Sequence, residues 1–517
     1  MTVSTPRLLA ALLTFPAGFS LPDMAMDASA TTENIAGRGT KINGCSILVQ
    51  AGLGDLLYFP SDGEYNTTIS SYYAKDVQDV KPACVLKPQT SRQAAQAIKA
   101  LNTKTGRTFP VAIRSGGHAP YASNNVKDGV TIDLGRLNSV EFNKGKDGDG
   151  TVLVGAGARW SQVYSTLEAQ GAMVAGAREG HVGVGGFLLG GGISWYSGKR
   201  GLCADNIVRY EVILASGDIV HATATKNSDL FRALKGGLNN LGLVTEFEIK
   251  TFTSRDVFGG VMVFPWTQKD SIVANFVQMV DGNRENPADT GFIAFTWSPT
   301  TPSPSIAYVT ANIDGVQNST TWTELGNLSP LVDFRAKMPL TGLTAQVVGE
   351  LGLYNTWYTL SFHNTPDMAR YVVETFKKVT QELELQGQID EEVRFIFVLS
   401  PLPKTFTEKS GGSILGLDKL ATNSIVLQPE AILPSQKYQP LVQQKLKEAT
   451  DAIESYAKKT GQNIDFRYIN YANPEQNPLA SYGAENGKFL VKTTKKYDPS
   501  GYFQTSVVGE FKLSDLA

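Results

Sequence analysis

Apolar and polar positions along this chain fall into two successive regimes. Between about residues 83 and 252, short apolar runs alternate with amphipathic stretches. Residues 83–86, 110–114, 129–134 and 151–156 each read as a strand. Thr90-Ser91-Arg92-Gln93 predicts a helix start, and Ala94, Ala97, Ile98 and Leu101 recur on one face after it. Residues 160–170 predict a second helix. Strands follow at 207–215 and 219–222, joined by a Gly217-Asp218 hairpin turn. A helix at 229–235 and a long strand at 243–252 close this part. Ahead of it, residues 31–75 read as a helix-poor lead-in with one short helix near 45–53.

Beyond residue 256 the texture changes. Alternating strands such as 291–297 and 305–311 are interleaved with long amphipathic helices at 368–385 and 438–460. That pattern predicts an antiparallel sheet backed by helices. Residues 462–517 are too few to fold alone and are expected to return to the first part. The expected fold class is α+β. It comprises a first domain over 31–255, a second domain over 256–461, and a C-terminal return over 462–517.

The beginning of the chain changes the picture of where the protein works. One positive charge in residues 1–7 precedes an apolar stretch over 8–19, and Ala28-Ser29-Ala30 offers a small-x-small cleavage site. This predicts a signal peptide over residues 1–30, because the apolar run is short for a membrane span and is broken by Pro16 and Gly18. A secreted or secretory-pathway protein follows. The acceptor triplets at Asn66, Asn318 and Asn327 fit that compartment. So does a disulfide between Cys45 and Cys84, which leaves Cys203 as a buried, inert thiol.

Charge and composition mainly exclude. Among 517 residues the formal net charge is −2 and 42% are hydrophobic, so nothing points to nucleic acid or to an anionic membrane. The expected partner is a small molecule, and the expected state is a monomer. The only histidines are 118, 181, 221 and 363, and no Cys-x-x-Cys occurs, so no metal site is expected. There is no Rossmann fingerprint, Walker loop or Gly-x-Ser-x-Gly elbow.

What remains is glycine. Arg114-Ser115-Gly116-Gly117-His118 ends a predicted strand. Its two glycines can bring backbone N–H groups onto an anion such as a diphosphate, with Arg114 and Ser115 as added donors, or they can simply turn the chain. A second run, from Gly183 to Gly192, holds six glycines in ten positions. It implies close backbone approach to something flat or charged, or to another backbone. Gly236-Gly237 through Gly242 is a third such turn. Three turns in one domain suggest one elongated ligand.

At these residues the chain resembles the berberine bridge enzyme-like family, within the p-cresol methylhydroxylase/vanillyl-alcohol oxidase superfamily of FAD enzymes. The resemblance runs through Arg114-Ser115-Gly116-Gly117-His118, Val182-Gly183-Val184-Gly185-Gly186 and Gly190-Gly191-Gly192-Ile193-Ser194. It continues in Gly237 to Thr245, Tyr468-Ile469-Asn470-Tyr471-Ala472 and Lys496-Tyr497-Asp498-Pro499-Ser500-Gly501-Tyr502-Phe503. It implies a bipartite FAD-binding domain interrupted by a substrate domain, and FAD bonded covalently through the 8α-methyl to His118. Arg114, Ser115, Gly116, Gly117, Glu179, His181, Val182, Gly183, Gly185, Gly186, Gly191, Gly192, Gly242, Val244 and Asn470 are the implied cofactor contacts.

Many family members carry a second link, through a cysteine three residues before the Val-Gly-Val-Gly-Gly run. Glu179 stands there, so a single covalent link is expected, as in fungal-type members. Glu179 and His181 then form a titratable pair beside the flavin or merely fill the vacated space. A small Val182 before Gly-Val-Gly-Gly favours an oxidase.

Tyr468 resembles the tyrosine that serves as base in the carbohydrate oxidases of the family. To do so at neutral pH its pKa must be lowered by neighbours; otherwise it is a packed strand tyrosine, with Arg467 on the opposite face. The implied reaction passes a hydride from a substrate carbon to FAD and electrons onward to oxygen, giving peroxide. The apolar runs at 292–297 and 395–398 favour a small secondary-metabolite alcohol, with cyclisation of the product in the pocket as a further possibility. A sugar or oligosaccharide, a dehydrogenase that does not use oxygen, and a secreted module without turnover are the alternatives; His118, Asn470 and the glycine turns argue against the last.

Overall fold

The computed structural model describes residues 43–102, 109–145, 149–301, 303–385, 389–409 and 413–516. The expected signal peptide lies outside them. The fold is α+β and is built on three sheets. In the first, the strands run in the order Leu57–Tyr58, Cys84–Leu86, Val130–Asp133, Val111–Arg114. The last three are parallel neighbours, which requires a crossover, and the helix Ser91–Leu101 supplies it. Its start is local chemistry. The Thr90 hydroxyl accepts the Gln93 N–H, and the Gln93 side chain accepts the Thr90 N–H. Ala94, Ala97, Ile98 and Leu101 are buried as the periodicity predicts. Burying a side chain the size of Ile98 or Leu101 contributes about 1.5–3 kcal/mol.

The second sheet is antiparallel, in the order Val140–Lys144, Gly150–Gly155, Leu243–Thr253, Ile207–Ile213, Ile219–Thr223. Gly217 turns the last hairpin at φ +84°. The lead-in holds more helix than its sequence predicts: Gly44–Gln50, Gly63–Ser70 and Lys75–Asp79. The two later helices are stabilised by tertiary burial of Tyr65, Ile69 and Val77 rather than by a long amphipathic pattern. Cys45 and Cys84 form a disulfide, tying the first helix to the first sheet. Cys203 is free and buried, and burial pushes its thiol up, which keeps it protonated.

The third sheet is the largest and is antiparallel. Its main path runs Val332–Asp333, Val257–Pro265, Ser305–Asn312, Asp289–Trp297, Arg394–Leu402, Ser424–Leu433, Leu360–His363, Asn463–Ile464. Strand residues alternate between its faces. Ile293, Phe295, Ile306, Tyr308, Phe395 and Phe397 enter a core shared with the helices Lys269–Asp281, Pro366–Leu385 and Gln439–Lys459. The opposite face, carrying Phe292, Ala294, Val309, Ile396 and Val398, looks into a cavity.

The chain leaves this sheet after Ile464. Phe466, Leu490, Phe503 and Val507 then join the core of the first two sheets. The Val111 N–H donates to Ser506 O at 2.8 Å and the Val508 N–H to Val111 O at 2.8 Å. Among the described residues no helix is long and apolar enough to cross a membrane. Asn66, Asn318 and Asn327 are all exposed.

Candidate functional site

A cavity of about 510 Å³ lies between the first two sheets and the open face of the third. Its floor is made by the three glycine turns. His118 follows the strand Val111–Arg114 and the Ser115-Gly116-Gly117 turn, where Gly117 takes φ +68°. A Cβ on Gly116 would lie 2.5 Å from the Gly183 backbone, and one on Gly183 would lie 2.2 Å from Gly116 N. These two glycines therefore let two turns touch, so the close approach here is backbone on backbone. Ser115 fastens the same junction: its hydroxyl donates to Ala156 O at 2.6 Å and accepts the Gly185 N–H at 3.1 Å. Gly186 is different. Nothing lies within 4 Å of its missing side chain, and it faces the cavity.

Ser115, Gly116, Gly117, His118, Glu179 and Val182 line the cavity, as do Gly183, Gly185, Gly186, Gly242, Val244, Tyr468 and Asn470. Four expected contacts stand elsewhere. Arg114 turns away: its guanidinium donates to Asp133 at 3.0 Å and to Ser71 at 2.7 Å and lies over the Tyr72 ring at 4.2 Å. A buried charge is held where its counter-charge is, and Asp133 is on the neighbouring strand. His181 sits outside the lining, with its Nδ1 3.8 Å from Glu179 Oε1. Gly191 and Gly192, at φ +101° and +78°, make a turn packed on Leu415, Phe187 and Cys203.

His118 is held by Tyr73, whose ring packs on the imidazole at 4.1 Å. Burial first, then the Arg159 and His181 charges, push the His118 pKa down to about 3, so the ring is neutral. Burial pushes Glu179 up to about 7 against the opposing His181 and Val182 N–H groups.

Tyr468 differs from its sequence reading in two ways. It precedes the short 3-10 turn Ile469–Tyr471, so it belongs to no strand, and Arg467 does not occupy an opposing strand face. Burial, with Tyr471 next, pushes its phenol well above the ordinary value instead of lowering it. Its oxygen accepts the Ile193 N–H at 2.9 Å and the Asn470 side-chain N–H at 3.0 Å. Tyr468 is thus a protonated anchor. Asn470 also donates to Phe187 O at 3.2 Å.

The cavity's other wall carries groups that sequence reasoning missed. Glu430 lines it from the strand Ser424–Leu433, and burial pushes its carboxyl up to about 7 against the nearby Arg394 guanidinium. Gln428 donates to it. Arg394 pairs with Glu350 at 2.8 Å. Glu430 and Glu179 both act electrostatically on Tyr73, which places Glu430 near the His118 end. Arg178 lies 4.5 Å over the Phe292 ring and donates to Tyr471 Oη at 2.8 Å and Ser400 Oγ at 3.0 Å. The available signal was a lone carboxylate in the apolar run Ser424 to Leu433.

These features fit FAD. One cavity is lined by residues of all three glycine turns, an open Gly186 allows close approach, and a neutral His118 faces the cavity with its Nδ1 buried and unpartnered. Residues 82–223 match the family described as FAD binding domain. The chain is 31% identical over 486 residues to the FAD-dependent monooxygenase drtC of Aspergillus calidoustus, covering 91% of this chain and 90% of that one. It is 29% identical over 474 residues to the FAD-dependent monooxygenase sdcF of Emericella nidulans, covering 91% and 98%. Among solved structures, the berberine bridge enzyme of Eschscholzia californica shares the fold at a TM-score of 0.70 and 17% identity, with 90% of this chain and 98% of that chain covered. The ordered motifs, the FAD-domain match and the full-length relatives agree: this chain belongs to the berberine bridge enzyme-like FAD-linked oxidoreductases of the p-cresol methylhydroxylase/vanillyl-alcohol oxidase family.

Proposed function

We propose that this FAD-linked oxidoreductase is an oxidase of a small, largely apolar secondary-metabolite alcohol, with its FAD bonded covalently to His118 alone. Held by His118, Asn470 and the glycine turns, FAD would supply a two-electron acceptor for the substrate, with oxygen as the final acceptor and peroxide as its product. The observation that carries the reading is the composition of the cavity wall. Phe292, Ala294, Val309, Ile396 and Val398 offer an apolar surface, and Glu430 is a carboxyl poised near neutrality within it.

The chain's own residues divide the work. The apolar face of the third sheet binds and orients the substrate and excludes water. Glu430, rather than Tyr468, takes the proton from the substrate hydroxyl at a carboxylate oxygen, because its pKa is matched to neutral pH and that of Tyr468 is not. Asn470, Ser115 and Gly186 shape the flavin side.

The relatives are named monooxygenases, and that is the second reading: the same electron acceptor with oxygen incorporated into the product. A carbohydrate oxidase is less well supported, because the sheet face offers few polar side chains. The test is a screen of hydrophobic alcohols, phenols and sugars. Flavin bleaching without air, followed by stoichiometric peroxide in air, supports the oxidase. An oxygen-18 label in the product supports the monooxygenase, and bleaching that air does not reverse supports a dehydrogenase.

We further propose a secreted monomer. The Cys45–Cys84 bridge and the exposed acceptor asparagines support that compartment.

A further inference from the structure

Glu179 stands beside His118 in an arrangement that the oxidation of substrate does not use. The His118 Nε2 lies 3.6 Å from Glu179 Oε2. The other carboxylate oxygen, Oε1, accepts the His181 backbone N–H at 3.0 Å, which fixes the carboxylate plane. Two buried atoms at this contact have no hydrogen-bond partner: Glu179 Oε2 itself and His118 Nδ1. The imidazole cannot swing freely, because Tyr73 covers it at 4.1 Å and the Tyr73 N–H is bonded to Gly117 O at 2.9 Å. Arg159 is bonded to His181 O, which steadies the loop from behind. His181 cannot replace Glu179 in this role, because its side chain lies outside the cavity lining.

We propose that Glu179 is a positioning residue for flavin attachment: its Oε2 engages the Nε2–H of His118 and leaves Nδ1 as the nucleophile for the 8α-methyl carbon of FAD. This rests on the reading that His118 is the attachment site. A ring nitrogen whose partner N–H faces a carboxylate is more basic and is fixed in one tautomer. In the linking step one C–H bond of the flavin methyl and the Nε2–H bond of His118 break, and the Nδ1–C bond forms. The two protons and two electrons released pass through the flavin to dioxygen, which leaves as hydrogen peroxide. Glu179 receives the Nε2 proton in transit and returns to its starting state. The place where relatives of this family tether a second sulfur is thus occupied by the group that assists the first bond.

The test follows adduct formation rather than turnover. Full-length chain from riboflavin-limited cells is mixed with FAD in air, and the flavin adduct is read over time as intact mass after acid denaturation. Total bound FAD and the near-ultraviolet flavin band of the native protein are recorded in parallel. Glu179→Gln is expected to form the adduct about a hundredfold more slowly, each rate being taken per chain with FAD bound. Glu179→Asp, which retains the carboxylate on a shorter arm, is expected to fall between the two, and serves if the Gln variant does not fold. Adduct formation at the wild-type rate in either variant overturns the role of Glu179. A wild-type chain with no adduct, or an adduct that survives His118→Ala, overturns the attachment reading itself and the proposal with it.

Discussion

A Cβ on Gly190 would lie 1.9 Å from Oδ1 of Asn470, so the Asn470 side chain rests on bare backbone. Gly190 has φ −98° and ψ 10°, values open to any residue, so space alone requires glycine here. Gly190→Ala must displace Asn470 from Tyr468 Oη and Phe187 O. Overpacking of this kind costs about 1–3 kcal/mol. The variant is expected to melt at lower temperature and to carry less flavin per chain, read from the absorbance ratio of purified protein. Full flavin content would show that Asn470 has no part in holding the cofactor.

Tyr468→Phe separates an anchor from a base. Removing the phenol oxygen leaves the buried Ile193 N–H without its acceptor, a loss of about 1–3 kcal/mol. If Tyr468 only anchors, kcat falls less than about tenfold while Glu430→Gln loses about a hundredfold or more. The reverse ranking in steady-state kinetics would return the proton transfer to Tyr468.

How much of this was legible depends on how far apart the interacting residues lie. The helix Ser91–Leu101 was readable because its cap and its apolar face are contained in twelve consecutive residues. The alternation of the third-sheet strands was readable too, but which face meets the helices and which meets the cavity was not. That choice is made by strand pairing such as Phe295 with Phe397, about a hundred residues apart in the chain. Tyr468 failed for the same reason. Its neighbours suggested a strand, whereas its oxygen is claimed by Ile193, 275 positions away. Glu430 was invisible because an acidic residue in a strand is ordinarily solvated, and only the assembled fold around the cavity desolvates it. Arg114 was read as a ligand donor because the buried position of Asp133 opposite it could not be known from the sequence.

The Cys45–Cys84 bridge joins residues 39 positions apart. Closing a loop of that length in the unfolded chain contributes ~4 kcal/mol in the chain-entropy model. The double variant Cys45→Ser, Cys84→Ser is expected to unfold at markedly lower denaturant, with a steeper slope because its unfolded chain is less compact. Because the bridge lies away from the cavity lining, flavin content at low temperature should persist. A denaturant midpoint equal to that of the wild type would mean that the bridge does not constrain the unfolded state.

Glu430 links activity and stability to pH with opposite signs. Burial raises its carboxyl from the ordinary 4.5 to about 7 in the folded chain. Between those values the unfolded chain has lost a proton that the folded chain still holds. The stabilisation is therefore complete below about pH 4.5 and is lost as pH rises through about 7. Glu430→Gln removes this dependence and should gain on the order of 1–3 kcal/mol over wild type at pH 8 relative to pH 4, read from paired denaturant titrations. Glu179 shifts the same way and contributes to both curves, so the difference between the two proteins isolates Glu430. Catalysis runs the other way, because a proton acceptor must be ionised. In the wild type, kcat/KM is expected to rise about tenfold per pH unit below 7 and to level off above it. In Glu430→Gln that limb should vanish along with most of the rate. A variant that kept the limb at about 7 would place the titrating base at another residue, with Glu179 the next to test.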